Sequence, residues 1–139
     1  MAAKKNRKLS TWKKRVWRLC SEYNRRKDAD SNGNTKCCTC DRYGHWKDFD
    51  AGHWIAKAHG NGIYFVDDGI HAQCRSCNGF REGAGEEYYP FMLDKYGIER
   101  MEEIKALKHQ ILKITRQDYE EMEQEYKRKI AELDNEQSI

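Results

Sequence analysis

The stretch "IHAQCRSCNGF", residues 70–80, brings two cysteines, a histidine and an asparagine close together. Cys74 and Cys77 form a C-x-x-C pair, His71 precedes this pair by three residues, and Asn78 follows it directly. Thiolates at this spacing clamp one metal ion, and a second pair is needed to complete the tetrahedral set that zinc prefers. The stretch therefore predicts one half of a metal site.

The other half is predicted at "CCTC", residues 37–40, where Cys37 and Cys40 form the second pair. The 33 residues between Cys40 and Cys74 leave room for a structural insert. Cys38 is a spare thiol that could replace Cys37 as the ligand if the turn is shifted by one residue. We predict a structural zinc ion. Disulfides fit a reducing compartment badly, and an iron–sulfur cluster is the remaining alternative. The predicted zinc ligands are Cys37, Cys40, Cys74 and Cys77.

Composition points to a small fold in the cytoplasm. The chain has 139 residues, 35% of them charged, and a mean hydropathy of −1.07. Little apolar material is left for a large core, so a metal ion that stabilises the fold is expected. No apolar run approaches the ~20 residues that cross a membrane, and the basic N-terminus lacks the apolar part of a signal peptide. We therefore expect no membrane partner.

The net charge of +3 is unevenly distributed along three predicted segments. Residues 1–36 carry 12 Lys and Arg against 3 Asp and Glu, residues 37–97 carry 6 against 9, and residues 98–139 carry 8 against 11. We interpret these as a basic helical segment, a zinc-stabilised core and a C-terminal helical extension. A polyanion partner is expected for the first segment only.

The basic segment contains a predicted amphipathic helix over residues 11–27, with Ser10 as its N-cap. Apolar residues recur at spacings of three and four, which is the mark of one packed face. They are Trp12, Val16, Leu19, Cys20 and Tyr23. The cations fall mainly elsewhere on the helix and are predicted to contact DNA: Lys13, Lys14, Arg15, Arg18, Arg25 and Arg26.

The segment between the two cysteine pairs predicts a strand, a second strand and a helix. "DAGHWIA", residues 50–56, has the pattern of a short strand, residues 62–72 lead into a second strand, and Cys77 onward starts the helix. This order gives an α+β fold and is similar to the ββα-metal plan of HNH nucleases. In that plan a strand histidine faces an asparagine or histidine at the helix start, with a divalent ion between them. His71 and Asn78 are placed at the site that this plan builds.

The sequence resembles the phage NinG family, also called Rap, of recombination proteins in lambdoid phages. The resemblance covers nearly the whole chain and is carried by Ala51-Gly52-His53-Trp54, His71-Ala72-Gln73-Cys74, Cys77-Asn78 and Glu87-Tyr88. It implies a structure-specific DNA endonuclease with an HNH-like core, acting on Holliday junctions, D-loops or forks. The gene would belong to a phage or prophage, and the protein would work in the cytoplasm of the bacterial host.

Phosphodiester hydrolysis then suggests the roles. His53, neutral near pH 7, takes a proton from the attacking water. Asn78, with Asp50 or His71, holds Mg²⁺ or Mn²⁺, and His71 is alternatively a brace for a neighbouring group. Gly69 departs from the family, where an asparagine is common. Gly52 stands where many HNH enzymes have an acidic ligand, so Asp50 either serves instead or is a surface turn residue.

The C-terminal third predicts two helices. Thr115 followed by Asp118 is an N-cap signal, so the break between the helices is predicted there. The two apolar stripes are Ile98, Met101, Ile104, Leu107, Ile111 and Ile114, and then Tyr119, Met122, Tyr126, Ile130 and Leu133. They pack on the core or on each other, or pair two chains into a homodimer. Two other functions remain open. One is a zinc-stabilised protein that binds branched DNA without cutting it, which Gly69 favours. The other is a protein–protein adaptor, which leaves the basic segment unexplained.

Overall fold

Long helices near the two ends of the chain pack together beside two small antiparallel sheets. The computed structural model describes residues 7–137, so residues 1–6 and 138–139 of the predicted terminal segments lie outside it. The elements in order are α1 (Leu9–Arg26), β1 (Asn34–Lys36), β2 (Tyr43–His45), β3 (Asp50–His53), β4 (Ile70–Gln73), α2 (Gly85–Tyr96), α3 (Ile98–Ala106) and α4 (Arg116–Gln137). The predicted α+β class is confirmed. Within residues 7–137 no helix has both the length and the apolar character needed to cross a membrane.

Helix α1 is amphipathic, as its sequence spacing predicts. Trp12, Val16 and Cys20 lie on one face and are almost fully buried, while Arg25 and Arg26 in the last turn complement the helix dipole. The predicted N-cap was wrong. The helix begins at Leu9, because the carbonyl oxygen of Lys8 accepts from the backbone amides of Thr11 and Trp12. Ser10 therefore lies inside the first turn.

Helix α4 packs along α1, which defines the main core. Its N-terminus is capped reciprocally, with the Thr115 amide donating to Asp118 Oδ2 at 2.8 Å and the Asp118 amide donating to Thr115 Oγ1 at 3.1 Å. The helix break predicted at these residues is confirmed. One core cluster draws on all three predicted segments: Trp12, Val16, Cys20, Ile70, Tyr119 and Tyr126. The apolar face of α4 is therefore used within the chain, and pairing of two chains through the helices stays a prediction.

Helix α3 is shorter than its apolar stripe predicts, and the expectation of a helix reaching Ile114 was wrong. It ends at Ala106, and Ile111 is 93% exposed. The backbone after the helix is used elsewhere. The amide of His109 donates to the carbonyl of His59, and the amide of Leu112 donates to Asn61 Oδ1 at 2.8 Å. Residues 107–112 therefore fasten the loop that joins β3 to β4.

The two hairpins position the residues of interest. Strands β1 and β2 flank the first cysteine turn. Strands β3 and β4 pair antiparallel, with Gly52 opposite His71 and His53 opposite Ile70. Since side chains alternate along a strand, His53 and His71 lie on opposite faces of this hairpin.

The prediction that a helix starts at Cys77 was wrong. A π-helical turn over Ser76–Phe80 follows the second cysteine pair instead, and three successive residues with positive φ end it: Glu82 (53°), Gly83 (91°) and Ala84 (50°). Helix α2 therefore begins only at Gly85. The turn is held by hydrogen bonds, since the amide of Arg81 donates to Ser76 and the amide of Gly83 donates to Cys77, each at 2.8 Å.

Candidate functional site

The four predicted cysteine ligands converge. The Sγ atoms of Cys37, Cys40, Cys74 and Cys77 all lie within 4.8 Å of one another, and those of Cys40 and Cys74 are 3.7 Å apart. A tetrahedral zinc site with Zn–S bonds of about 2.3 Å requires sulfurs about 3.8 Å apart. The sulfur positions and the donor set therefore fit a structural metal such as zinc.

Backbone amides around this cysteine cluster favour thiolates. The amide of Cys74 donates to Cys37 Sγ at 3.3 Å, that of Cys77 to Cys74 Sγ at 3.4 Å, and that of Arg42 to Cys40 Sγ at 3.5 Å. Burial alone would raise the pKa of Cys37, but hydrogen bonds from Thr39 and from the Cys74 amide outweigh it and lower the pKa to about 7. A thiol with such a pKa readily becomes the thiolate that binds metal.

Cys38 stands outside the cysteine cluster. Burial raises its pKa to about 12, against a hydrogen bond with the Tyr88 hydroxyl that acts in the opposite direction. A thiol that stays protonated is a poor metal ligand. Of the two alternatives that the sequence left open, Cys37 lies in the cysteine cluster and Cys38 does not.

Two adjoining clefts open beside the β3–β4 hairpin, and Ala51, Lys57 and Asn78 line both. The histidine cleft has a volume of about 330 Å³ and is lined also by His53, Trp54, Ala56, Glu82, Gly83 and Gly85. The aspartate cleft has a volume of about 320 Å³ and is lined also by Trp17, Ser21, Arg25, Lys47, Phe49, Asp50 and Arg75. Asn78 thus connects the surroundings of His53 with those of Asp50.

His53 has the hydrogen-bonding state of a base. Its Nε2 lies 2.9 Å from the carbonyl oxygen of Tyr64. A carbonyl oxygen only accepts, so Nε2 carries the proton and Nδ1 keeps its lone pair. The imidazole also stacks on Trp17, with ring centroids 5.2 Å apart and planes inclined by 19°. Burial lowers the pKa of His53 below 6.5, and the hydrogen bond to the Tyr64 carbonyl opposes this only in part. His53 is therefore neutral at pH 7.

Asn78 and Asp50 meet in the aspartate cleft. Asn78 Nδ2 donates to Asp50 Oδ2 at 3.2 Å, which leaves the amide oxygen of Asn78 and the second carboxylate oxygen for other partners. Arg75 Nε lies 3.8 Å from Asp50 Oδ1. Two roles were considered for Asp50, a metal ligand together with Asn78 and a surface turn residue. Its position on strand β3, next to Asn78, agrees with the first. Carboxylate and amide oxygens are ligands that suit Mg²⁺.

Packing explains why Gly52 carries no side chain. A Cβ atom built there would lie 1.9 Å from Oε1 of Gln73 on the paired strand. Gln73 is fully buried, and its Nε2 donates to Thr39 Oγ1 at 3.0 Å and to the Gly83 carbonyl at 2.8 Å. It thereby ties the first cysteine turn to the turn that follows Cys77. No acidic ligand fits at position 52 beside this glutamine.

His71 does not join His53 and Asn78. Among the described residues it lines neither cleft, and it is 1% exposed on the other face of the hairpin. The Tyr88 hydroxyl lies 3.1 Å from its Nδ1 and the Tyr96 hydroxyl 2.6 Å from its Nε2. Burial, with the charges of Lys27 and Lys95, lowers its pKa to about 2. This placement suits the brace that the sequence offered as its alternative role.

Gly69 leaves room for a side chain. Among the described residues, a Cβ atom there would meet Ile104 Cγ2 alone within 4 Å, at 3.8 Å. The carbonyl of Gly69 accepts from the Trp54 amide at 2.9 Å and closes the loop behind His53. The backbone itself therefore braces this loop.

Comparison with known proteins shows the family of this chain. A family model described as "Bacteriophage Lambda NinG protein" matches residues 1–136. The chain belongs to the NinG family. It is 26% identical over 126 residues to "Protein ninG" of Salmonella phage P22, covering 89% of this chain and 58% of that protein. The chain thus spans less than two thirds of the length of this NinG relative. No solved structure matches it.

The six cations predicted to contact DNA in this NinG-family chain have different surroundings. Lys14 and Arg18 are exposed, Lys13 Nζ lies 4.1 Å from the centre of the Tyr64 ring, and Arg25 lines the aspartate cleft. Two others form ion pairs with α4, Arg15 with Glu123 at 2.9 Å and Arg26 with Asp134 at 2.5 Å.

Sequence reasoning missed the other cations of the aspartate cleft, which are Lys47, Lys57 and Arg75. They come from three separate loops, and no periodicity links them. A signal was present for two of them, since Arg75 lies inside the second C-x-x-C pair and Lys57 follows His53 by four residues. Trp17 was missed as well, because the helical pattern shows which face packs and not which residue it meets.

Proposed function

We propose that this protein is a divalent-metal-dependent DNA endonuclease with an HNH-like core, and that it cuts branched recombination intermediates. The observation that carries the proposal is the neutral His53, with its Nδ1 lone pair, next to the Asn78–Asp50 pair across two adjoining clefts. The branched substrate is supported by the resemblance to recombination proteins of the NinG family.

In this proposal His53 acts as the general base. Its Nδ1 takes the proton from the attacking water, while the carbonyl of Tyr64 keeps Nε2 protonated and fixes the ring orientation. Stacking on Trp17 restricts the ring further. Proton transfer by a positioned histidine contributes roughly 10²- to 10⁴-fold to a rate.

Asp50 and Asn78 would hold Mg²⁺ or Mn²⁺ through their oxygens, with His71 set aside because tyrosine hydroxyls engage both its ring nitrogens. Such an ion neutralises the charge that develops on the leaving oxygen. The structural zinc would contribute indirectly. Asn78 follows Cys77, and its backbone amide donates to the Cys74 carbonyl at 2.9 Å. The cysteine cluster therefore fixes where Asn78 lies.

The cations around the clefts would bind the DNA backbone. Arg25, Lys47, Lys57 and Arg75 line the aspartate cleft around the single carboxylate of Asp50, and Lys14 and Arg18 extend the positive surface along α1. Phosphate contacts of this kind orient a protein on nucleic acid without reading its sequence.

A second candidate is a protein that binds branched DNA without cutting it. Gly69 favours it, because HNH proteins often carry an asparagine at this position, two residues before His71. The adaptor hypothesis gains nothing from the structure, since Tyr119 and Tyr126 of the second predicted stripe are buried in the main core with residues of α1.

Cleavage of matched DNA substrates separates the two candidates. A labelled four-way junction, a fork and a linear duplex of the same sequence are incubated with the protein in Mg²⁺, Mn²⁺ or Ca²⁺. We expect cleavage of the branched substrates in Mg²⁺ or Mn²⁺, and a loss of roughly 10²- to 10⁴-fold in His53→Ala with binding retained. His59→Ala is the matched control, because His59 is an exposed histidine of the neighbouring loop. A parent protein that binds junctions but never cuts them would leave the binding-protein candidate standing.

A further inference from the structure

An aromatic ring stands in solvent on the turn between two residues of the histidine cleft, Asn78 and Glu82. Phe80 is 92% exposed and lies two residues after Asn78, at the end of the π-helical turn that follows Cys77. The fold makes almost no use of this ring, although burying a phenylalanine is among the larger stabilising contributions available to a small protein.

The backbone that carries Phe80 is held firmly. The amide of Arg81 donates to the Ser76 carbonyl, that of Glu82 to Gly79 and that of Gly83 to Cys77. Gln73 of β4 donates a hydrogen bond from its Nε2 to the Gly83 carbonyl. Since Cys77 belongs to the cysteine cluster, the turn that presents Phe80 is anchored to the predicted zinc site.

The same turn stores backbone strain. Glu82 and Ala84 have φ values of 53° and 50°, which place non-glycine residues in the left-handed region. Such conformations are unfavourable for residues with a Cβ atom and persist where the surrounding structure enforces them, often at sites that hold a ligand. Here the buried Ala84 and the hydrogen bonds of Gln73 enforce the strain.

The cations near this turn narrow the class of ligand that Phe80 could contact to polyanions. Arg75, whose side chain is 78% exposed, opens the turn beside the clefts, and Lys47 and Lys57 line the aspartate cleft. Arg75 directly precedes the π-helical turn that ends at Phe80, so a polyanion bound by Arg75 would lie next to this turn. In a continuous duplex the base faces are covered by their neighbours, whereas a branch point leaves terminal or unpaired bases with an open face. Aromatic side chains stack on such faces irrespective of the base identity.

We propose that Phe80 stacks on an exposed base at the branch point, and that this contact supplies the preference for branched over continuous DNA. The inference rests on the proposed function for its substrate, and it does not depend on cleavage. The ring marks the branch, and the distance between Phe80 and the Asn78–Asp50 pair then sets how far from the branch the strand is cut.

Four variants separate stacking from exposure and from general hydrophobicity. Phe80→Ala removes the ring, Phe80→Leu keeps an apolar side chain, and Phe80→Trp keeps an aromatic face. Ile111→Ala is the matched control, because Ile111 is 93% exposed on the linker between α3 and α4. All are measured in Ca²⁺ against a four-way junction and a linear duplex, with 2-aminopurine at the branch point as a stacking probe.

We expect Phe80→Ala and Phe80→Leu to reduce the ratio of junction to duplex affinity by roughly fivefold or more, the contribution of one stacked base. Duplex affinity should stay unchanged, and fluorescence quenching of 2-aminopurine should be lost. Phe80→Trp should retain the ratio and the quenching, and Ile111→Ala should match the parent.

The two proposals can fail separately. An unchanged affinity ratio and unchanged quenching in Phe80→Ala would overturn the stacking role even if the parent cuts junctions. A parent that binds junctions without cutting them, and loses its preference in Phe80→Ala, would support stacking and reject the nuclease. A parent that binds junction and duplex equally would overturn the stacking role too.

Discussion

His71 couples folding to pH because the folded protein accommodates only its neutral form. It is fully enclosed, with tyrosine hydroxyls at both ring nitrogens, and burial lowers its pKa to about 2. In the unfolded chain a histidine titrates near 6.5. Between these two values the unfolded state binds the additional proton, so the free energy of unfolding falls as the pH falls. Above pH 6.5 this contribution is fully present.

Replacing His71 by a residue that does not titrate should flatten this dependence. We expect His71→Gln to be less stable than the parent at pH 7, with the difference shrinking by up to about 1.4 kcal/mol per pH unit below pH 6.5. Urea unfolding at pH 7.5, 6.5 and 5.5 measures it, and the loss of zinc in acid is common to both proteins. A difference that stays constant over this range would mean that His71 is not buried in the neutral form.

Gly52 offers a second test at the scale of one residue. Gly52→Ala brings a Cβ atom against Gln73, whose buried amide cannot move without breaking its bonds to Thr39 and Gly83. Overpacking of this kind costs about 1–3 kcal/mol. Gly44→Ala is the control, since a Cβ atom there meets no described atom within 4 Å and should change stability by less than about 0.5 kcal/mol. Equal unfolding midpoints for the two variants would contradict the close packing.

At the scale of elements, α1 connects the charged surface to the proposed base. Trp17 on this helix stacks on His53 and contributes to the burial that lowers the pKa of His53. In Trp17→Ala we expect the pKa to rise toward 6.5. Because the base must be neutral, the acid limb of the pH–rate profile should move to higher pH. The variant should therefore lose less of the parent's rate well above pH 7 than on the acid limb. Trp17→Phe should retain the parent profile. An unmoved acid limb in Trp17→Ala, with cleavage intact, would separate Trp17 from the base.

The cations of α1 should divide into two groups. Arg18 is exposed, so Arg18→Glu should weaken DNA binding and reduce the salt slope by roughly 1 for each phosphate that the variant no longer binds, with the melting temperature unchanged. Arg15 pairs with the buried Glu123 of α4, so Arg15→Gln should lower stability by leaving that carboxylate with Lys127 as its remaining cation. Thermal melts and binding at several salt concentrations distinguish them. Equal effects of both variants on binding and stability would contradict this division.

Local patterns predicted the elements, and distant contacts decided their limits. The apolar spacing of α1 and the two C-x-x-C pairs are short-range signals, and both appear in the structure as predicted. The end of α3 was missed because the backbone after it bonds to His59 and Asn61, about 50 residues away. The partners of Arg15 and Arg26 lie 108 residues along the chain. No local pattern shows which cation such a partner will neutralise.

At the scale of the whole molecule, polar ties hold the helices to the hairpin. Asp67, in the loop before β4, accepts from Asn24 of α1 at 3.0 Å, from Tyr126 of α4 at 2.7 Å and from Lys129 of α4 at 2.9 Å. The main core beside it is apolar and joins α1, β4 and α4. The hairpin is therefore supported by both helices.

The hairpin also depends on the cysteine cluster. A separate core cluster consists of Cys37, Phe49, Ala72, Cys74, Cys77 and Ala84, so half of its members are proposed metal ligands. Without metal, four thiols would crowd together where apolar side chains would otherwise pack. We therefore expect one zinc ion per chain, and we expect its removal to disorder β4, the Phe80 turn and the clefts first, because metal binding and folding are coupled.

Cysteine variants test this dependence directly. Cys77→Ser should lose zinc and melt at a lower temperature, whereas Cys38→Ser should keep zinc, because Cys38 lies outside the cluster and its raised pKa keeps it a thiol. Elemental analysis gives the zinc content, and hydrogen exchange of the amides of β4 reports the hairpin. In chelator-treated parent protein these amides should lose protection while those of α1 and α4, packed on each other, retain more of theirs. Zinc lost from Cys38→Ser but kept by Cys77→Ser would reassign the ligands. Folded, fully protected protein without metal would show that the four cysteines stabilise the hairpin by packing alone.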